Sequence, residues 1–406
     1  MYDLLTGMRV VEASAFVAGP SCALHLAQFG ADVIRIDQIG GGPDFRRWPL
    51  DAESGASLYW EGLNKSKRSV ALDLGRPEGR ELAVRIATAP GDNAGLFVTN
   101  YPVDGFLSFE RLSARRGDLV CVRIMGWPDG RPAVDYTVNA AVGVPEMTGN
   151  SDDPRPVNHV LPAWDLLAGA YAAFTLVSAE RARRADGLGR EIRVPLSDVA
   201  IASLGHLGQI GEVRTTGEDR ARLGNQLYGA FGRDFVAKDG ERLRVVAITL
   251  RQWTSLVDIL GLKDPVAGLE AELGVRFDRD EGARFQHRDR LNPMIETAIA
   301  SRTAADLTSA FVAGAVCWSR YRTLKQATDG DPYFSAANPM LATIDHPSGR
   351  RYPAAGAAAT IPSEVRQPPR PAPALGAHTD EVLSEILGLS AAEIARLRDE
   401  GLAANA

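Results

Sequence analysis

Cysteine is scarce in this 406-residue chain: Cys22, Cys121 and Cys317 stand far apart and are odd in number. That excludes a disulfide framework and a cysteine-based zinc site, and it fits a reducing compartment, the cytoplasm. Basic residues are not in excess. The net charge is −6, so there is no electrostatic footprint for nucleic acid. The opening "MYDLLTGMRVVEAS" lacks a basic leader followed by an apolar run, so no secretory signal is expected. Uninterrupted hydrophobic runs of membrane length are also missing. The most apolar window, "HVLPAWDLLAGAYAAF" at 159–174, carries Asp165 and soon runs into "SAERARR". A buried core helix fits it better than a membrane span. The histidines fall at no metal-ligand spacing, so no metal is expected. His159 and His206, each near an apolar segment, read as structural. No G-x-S-x-G elbow and no local signature of a catalytic cysteine occur.

What is present is an ordinary globular composition, 45% hydrophobic and 24% charged, on a chain long enough for two or three domains. The first half alternates strand and helix signals. "MRVVEAS", "ADVIRID", "RSVALDL", "AGLFVTN", "DLVCVRIMG" and "REIRVPL" read as strands. "GPSCALHLAQFG", closed by Gly30, and "RPEGRELAVRIATA", with Pro77 near its start, read as helices. Alternation of this kind predicts an α/β fold with a parallel, doubly wound sheet in a large Rossmann-like domain. The middle differs. "AFGRDFVAKDGERLRVVAI" reads as a hairpin turning at residues 238–241, and Thr249 and Gln252 stand at capping-box spacing before a helix. "TAADLTSAFVAG" reads as another helix. These signals define a smaller α+β domain. After the Pro-rich "RQPPRPAPALG" come two short helices, with a second capping box at Ser390 and Glu393. The division is therefore 1–223 for the first part of the large domain, 224–325 for the small one, and 326–406 for a return segment and terminal helices.

Local motifs leave alternatives open. Asp37 ends the second strand, where a ribose-binding acid sits in dinucleotide folds, but no G-x-G-x-x-G precedes the first helix. The glycines of "GGGPD" come after the second strand, so a nicotinamide enzyme is not expected. Lys65, Lys67 and Arg68 form either a phosphate-binding cluster or, by the commoner reading, a solvated face. Asp165 reads as a cap or first-turn acid of a helix starting near Leu166. It reads equally as a positioned nucleophile, beside Trp164 and four residues before Gly169.

Several segments together resemble the class III CoA-transferase family, which includes formyl-CoA and carnitine CoA-transferases and the α-methylacyl-CoA racemases. They are "LLTGMRVVEASAFVAGPSCALHLAQFGADVIRID", "LNKSKRSVALDL", "VTNYPVDG", "GNQLYGAFGRDFVAKDG" and "PALGAHTDEVLSEILGLSAAEIARL". The resemblance spans nearly the whole chain. It implies an aspartate nucleophile followed by glycine four residues later, matched by Asp165 and Gly169. It implies acyl-CoA as substrate, with no permanently bound cofactor, and an interlocked homodimer. It implies CoA contacts at Val17, Ala18 and Arg35, at the turn Leu72, Asp73, Leu74 and Gly75, and at Asn100, Tyr101 and Pro102.

Departures narrow the family reading. In "PAVDYTVN", Val134 stands where the racemases have a histidine, and valine moves no proton. Val17 stands where formyl-CoA transferases have glutamine. The covering glycine-rich loop is not evident, nor is the His-Pro that usually follows the asparagine of "GNQLYG". Likeness in "IGGGPDFRRWP", "LYWEGLNKSKRS" and "VNHVLPAWD" points to the members that move CoA between the C1 and C4 carboxylates of mesaconyl-CoA. Intermolecular transfer to a different acid is the first alternative, and a CoA-binding protein without turnover is the second, disfavoured by the intact Asp165. A free substrate carboxylate needs a cation, and Arg46 or Arg47 in "DFRRWP" is the candidate.

Overall fold

The computed structural model describes residues 1–405 and divides the chain into two units. The first comprises Met1–Val142, His159–Thr215 and Asp331–Ala406; the second comprises Gly143–Asn158 and Thr216–Gly330. The second unit therefore begins before residue 224 and includes an extra segment ahead of the apolar window.

The first unit runs β1 (Arg9–Ala13), α1 (Ala18–Gln28), β2 (Asp32–Gln38), α2 (Leu58–Leu63), β3 (Arg68–Leu72), α3 (Pro77–Ala87), β4 (Leu96–Thr99), α4 (Phe109–Arg115), β5 (Val120–Met125) and α5 (Asp135–Ala141). The short α6 (Val144–Met147) belongs to the second unit. The first unit resumes with α7 (Ala163–Asp186), β6 (Arg190–Pro195), α8 (Leu196–His206) and α9 (Gln209–Thr216). Strands β1 to β6 form a parallel sheet in the order β3-β2-β1-β4-β5-β6. Both faces are covered, as continuous runs such as "LFVT" require. Cys22 and Leu26 of α1, with Ala168, Ala172 and Leu176 of α7, pack on one face against Val10, Val98 and Val122. On the other face, Leu82 and Ile86 of α3 pack against Val11, Ile34 and Phe97.

The second unit holds β7 (Phe231–Val236) and β8 (Arg242–Ala247), then α10 (Leu250–Ile259), α11 (Lys263–Leu273), α12 (Glu281–Gln286), α13 (Arg288–Ala300), α14 (Ala304–Ala313), β9 (Cys317–Arg320) and α15 (Leu324–Gly330). The hairpin turns where its sequence indicates, and the Thr249–Gln252 box caps α10 as its spacing predicts. Phe231, Leu243, Trp253, Phe277 and Phe311 form the core.

The chain then returns to the first unit. A hairpin of β10 (Leu341–Asp345) and β11 (Arg351–Ala355) precedes α16 (Thr379–Leu387), α17 (Ala391–Asp399) and β12 (Ala403–Ala404). Strand β12 pairs antiparallel with the edge strand β3, and Val382, Leu383 and Ile394 join the face beneath α3. The Ser390–Glu393 box caps α17.

The apolar window differs from its expected form. Helix α7 starts at Ala163, not near Leu166, and is buried on one side only. Ala168, Ala172 and Leu176 face the sheet, while Leu166, Leu167, Tyr171 and Phe174, the last 65% exposed, do not. Among the described residues no helix is long and apolar enough to cross a membrane.

Candidate active site

Strand order reverses between β1 and β4, and the loops leaving their carboxyl ends diverge there. In open α/β sheets that crevice is where ligands bind. A cavity of about 720 Å³ occupies it. Its wall is made by the loop after β1, the turn after β4, the end of β5, the 128–134 loop and Asp165. The first two walls are tied together by one side chain. Asn100 Nδ2 donates to the Ala15 carbonyl at 2.9 Å, and its Oδ1 accepts from the Ala15 amide at 3.2 Å. Buried Arg123 donates to the carbonyls of Tyr101 and Pro102 at 2.8 and 2.9 Å, which sets the turn after β4. Phe16 has φ +68°, a left-handed conformation that costs a non-glycine residue on the order of 1 kcal/mol or more. Such strain persists where surrounding contacts over-determine it, and here it lies on the cavity wall.

Asp165 enters the cavity from the third position of α7. The approach of α7 to α1 depends on Gly169. A Cβ there would lie 2.0 Å from Ser21 Oγ and 2.8 Å from the Ala18 carbonyl oxygen. Glycine four residues after the acid thus brings the first turn of α7 against the start of α1. The cap residue of α1 is Val17, which offers no side-chain acceptor, so first-turn amides of α1 have no side-chain cap at the cavity.

A position in the first turn of a helix favours an ionised Asp165, but the surroundings do the opposite. Burial, then the neighbouring charge of Asp135, push its carboxyl up to about 7, with Arg47 opposing them. Asp165 itself is not the cap of α7. That role falls to Asp135, whose Oδ2 accepts from the amides of Trp164 at 2.6 Å and Asp165 at 3.2 Å. Its Oδ1 lies 2.6 Å from Nε2 of His159. Val134, immediately before it, is 54% exposed and lines the same cavity as Asp165.

The cavity brings together Asp165, Val17, Ala18, Asn100, Tyr101 and Pro102. It does not include Arg35, and the reason is physical. The Arg35 guanidinium is fully buried, with Nε and Nη2 on Asp37 at 2.9 Å, Nη2 on Asp44 at 3.0 Å and Nη1 on Glu12 at 3.3 Å. It also lies over the Trp60 ring at 4.5 Å. Every donor direction is used within the protein, so none is left for a phosphate. Asp37, at the ribose-acid position, is committed to the same arginine. Lys67 is not solvated either: its ammonium donates to Glu12 at 2.8 Å and to the Pro20 carbonyl at 2.9 Å. Burial would raise the Glu12 carboxyl, but Lys67 and Arg35 outweigh it and hold it below its ordinary range. Lys65 is also buried, which together with Lys67 draws it down to about 8. Arg68 pairs with Asp32, Glu381 and Glu385. Both readings of this basic segment therefore give way to a structural one.

The turn of Leu72, Asp73, Leu74 and Gly75 lies outside the cavity wall. Leu72 and Leu74 are core residues, and Asp73 accepts from Gln38 and from the Gly75 amide. Arg46 and Arg47 are also absent from the wall, yet only Arg47 acts on Asp165 electrostatically. Its guanidinium lies 5.4 Å from the Phe16 ring and 5.6 Å from the Tyr59 ring. The buried cluster helps to place this loop, since Asp44 is anchored on Arg35 and Phe45 meets Trp60 edge-on at 5.0 Å. Sequence reasoning passed over Asp135, Arg123 and the aromatic seat of Arg47. Asp135 was within reach, because it directly follows the Val134 already singled out.

The family model for CoA-transferase family III matches residues 5–379. The 2-methylfumaryl-CoA isomerase of Chloroflexus aurantiacus is 48% identical over 404 residues, covering 100% of this chain and 98% of that protein. The succinyl-CoA–D-citramalate CoA-transferase of the same organism is 27% identical over 402 residues, covering 97% of this chain and 96% of that protein. Among solved structures, a CAIB/BAIF family protein from Brucella suis superposes with a TM-score of 0.75 at 25% identity, covering 95% of this chain and all of that one.

Proposed function

The chain belongs to CoA-transferase family III, and we propose that it moves CoA between the C1 and C4 carboxylates of 2-methylfumaryl-CoA (mesaconyl-CoA), with Asp165 as covalent carrier. The full-length 48% identity to a 2-methylfumaryl-CoA isomerase is the observation that carries this reading. The placement of Asp165 at the switch-point cavity supports it.

The chemistry runs through bonds that exchange without net loss. An oxygen of ionised Asp165 attacks the thioester carbonyl. The C–S bond breaks, giving an acyl–aspartyl anhydride and CoA thiolate. The thiolate attacks the aspartyl carbonyl, releasing the dicarboxylate and leaving CoA on Asp165 as a thioester. The dicarboxylate's other carboxylate attacks that thioester, and the freed thiolate then attacks the new anhydride on its substrate side. Asp165 is regenerated as a carboxylate. Covalent catalysis divides one difficult acyl exchange into easier steps. Backbone amides at the start of α1 can stabilise the oxyanion formed on the aspartyl carbon. Water must stay out, because it would hydrolyse the anhydride.

Arg47 is the preferred cation for the substrate's free carboxylate, since it is seated on Phe16 and Tyr59 and acts on Asp165. A homodimer is part of the same reading. Apart from Asp165, the first half of α7 is apolar, and Leu167, Tyr171 and Phe174 form an uncovered apolar face there that a second copy of the chain would bury. Three free thiols support a cytoplasmic setting.

The test is incubation of the C1 thioester with enzyme alone, followed by chromatography. Appearance of the C4 isomer without any added acid supports the proposal. Transfer that starts only when a second carboxylic acid is added refutes it and favours intermolecular exchange.

A further inference from the structure

Nothing on α7 itself can hold its first turn. The residue before it, Pro162, has no polar side chain, and the amides of Trp164 and Asp165 are among those an α-helix leaves unpaired. The acceptor comes from another helix. Asp135, first residue of α5 and 1% exposed, receives both amides on one oxygen. Its other oxygen is engaged by His159, whose ring sits between Tyr136 at 5.7 Å and Trp164 at 6.2 Å. A third polar contact closes the arrangement: Trp164 Nε1 donates to Asn139 Oδ1 at 3.1 Å. A simple cap would need only a hydroxyl or an amide. Here a buried carboxylate is used, one residue from the cavity wall and close to the nucleophile.

We propose that Asp135, clasped by His159, is a positioning residue that fixes the first turn of α7 and sets its carboxylate beside Asp165. The inference rests on the assignment of Asp165 as covalent carrier. Its chemical consequence is a more basic carboxylate. A carboxylate that titrates near neutrality is a better nucleophile toward a thioester than an ordinary one, and it is still about half ionised at working pH. The opposing charge near Asp165 is Arg47, from the loop after β2. Tyr59 of α2 is a further titratable neighbour on which Asp165 acts. Farther around the cavity wall, Asp104 and Asp129 are set against Arg123, Arg131 and Arg193. Of these Arg123, Arg131 and Arg193 are themselves paired, with Glu191, Asp129 and Glu191 respectively.

Asp135→Asn separates charge from geometry. The amide oxygen can take both α7 amides, and the amide NH₂ can face His159 in its other tautomer. The measurement is kcat/KM against pH for 2-methylfumaryl-CoA, which reports ionisations of the free enzyme. The acidic limb should move down by about one pH unit, leaving roughly five-fold more Asp165 ionised at pH 6. The plateau above pH 8 should be lower than in the wild type, because the carboxylate is less basic. Asp135→Ala, which also removes the cap, should lower the plateau further. If Asp135→Asn is too slow to profile, the Asp165 carboxyl titration is read by difference infrared spectroscopy against Asp165→Asn. A limb or titration left at its wild-type position overturns the inference, since a purely structural cap would give that result. Asp165→Ala with wild-type turnover would instead overturn the carrier assignment, so the two failures are distinguishable.

Discussion

Replacing Gly169 by alanine adds one methyl group where two helices nearly touch. The added carbon would stand 2.0 Å from Ser21 Oγ and 2.8 Å from the Ala18 carbonyl oxygen. The serine can swing aside; the carbonyl is backbone and cannot. Ordinary contact at a Cβ begins near 3.4 Å, so the start of α1 and the first turns of α7 must part by at least about 0.6 Å. Overpacking of this kind costs about 1–3 kcal/mol. At about 2–4 °C per kcal/mol, the melting temperature should fall by several degrees. The chemical effect should be larger. Asp165 lies one turn before Gly169, and a misplacement near 1 Å costs on the order of 100-fold in rate. Calorimetry gives the first quantity, and kcat for isomerisation gives the second. Adding Ser21→Gly should recover part of the melting temperature but little turnover, because the Ala18 carbonyl remains in the way. A Gly169→Ala enzyme that melts with the wild type and turns over within two-fold of it would refute the close-approach argument.

Arg35→Ala should act on stability rather than on CoA affinity. It leaves Glu12, Asp37 and Asp44 buried with Lys67 as the remaining cation, and breaking a buried pair in this way costs about 3–5 kcal/mol. Urea unfolding measures the loss, and an unchanged midpoint with a raised KM would restore Arg35 to the cofactor site. Arg47→Ala should raise KM for the dicarboxylyl thioester at least ten-fold, while Arg46→Ala changes it less than two-fold. Equal effects from the two variants would remove the case for Arg47 as the carboxylate's partner.

The sheet was legible because its signals are local. Continuous apolar runs mark strands buried on both faces, and the alternation with helices sets the parallel order. The hairpin at 238–241 and the boxes at Thr249 and Ser390 were legible for the same reason: each is complete within a few residues. Asp165 stands out as the one carboxylate of an apolar window and takes its expected role from the family resemblance; the structure supplies a steric reason for its spacing to Gly169. What escaped is long-range. Lys67 and Arg35 look available to solvent or to a ligand until Glu12 and Asp44 arrive from other segments, joining Asp37 of Arg35's own strand. The start of α7 was misread because its cap is Asp135, which lies well upstream in the sequence. Helix α2 was missed because it is short and capped by a single serine, Ser57.

The sheet's edge has a consequence for how the chain is made. Strands β1 to β6 are complete by Pro195, but β12, which covers the edge strand β3, comes at Ala403–Ala404. Some 200 residues separate them, including the Thr216–Gly330 part of the second unit, which at ribosomal rates of 5–20 residues per second is about 10–40 s of synthesis. Throughout that interval the nascent protein carries a finished sheet whose β3 edge has no partner, and Leu72 and Leu82 lack Val382, Leu383 and Ile394. An unpaired, apolar strand edge is a template for pairing with another chain. Pauses in translation downstream of Pro195 therefore lengthen the period in which this protein is vulnerable to aggregation, and a chaperone that shields β3 would be most useful before α16 emerges.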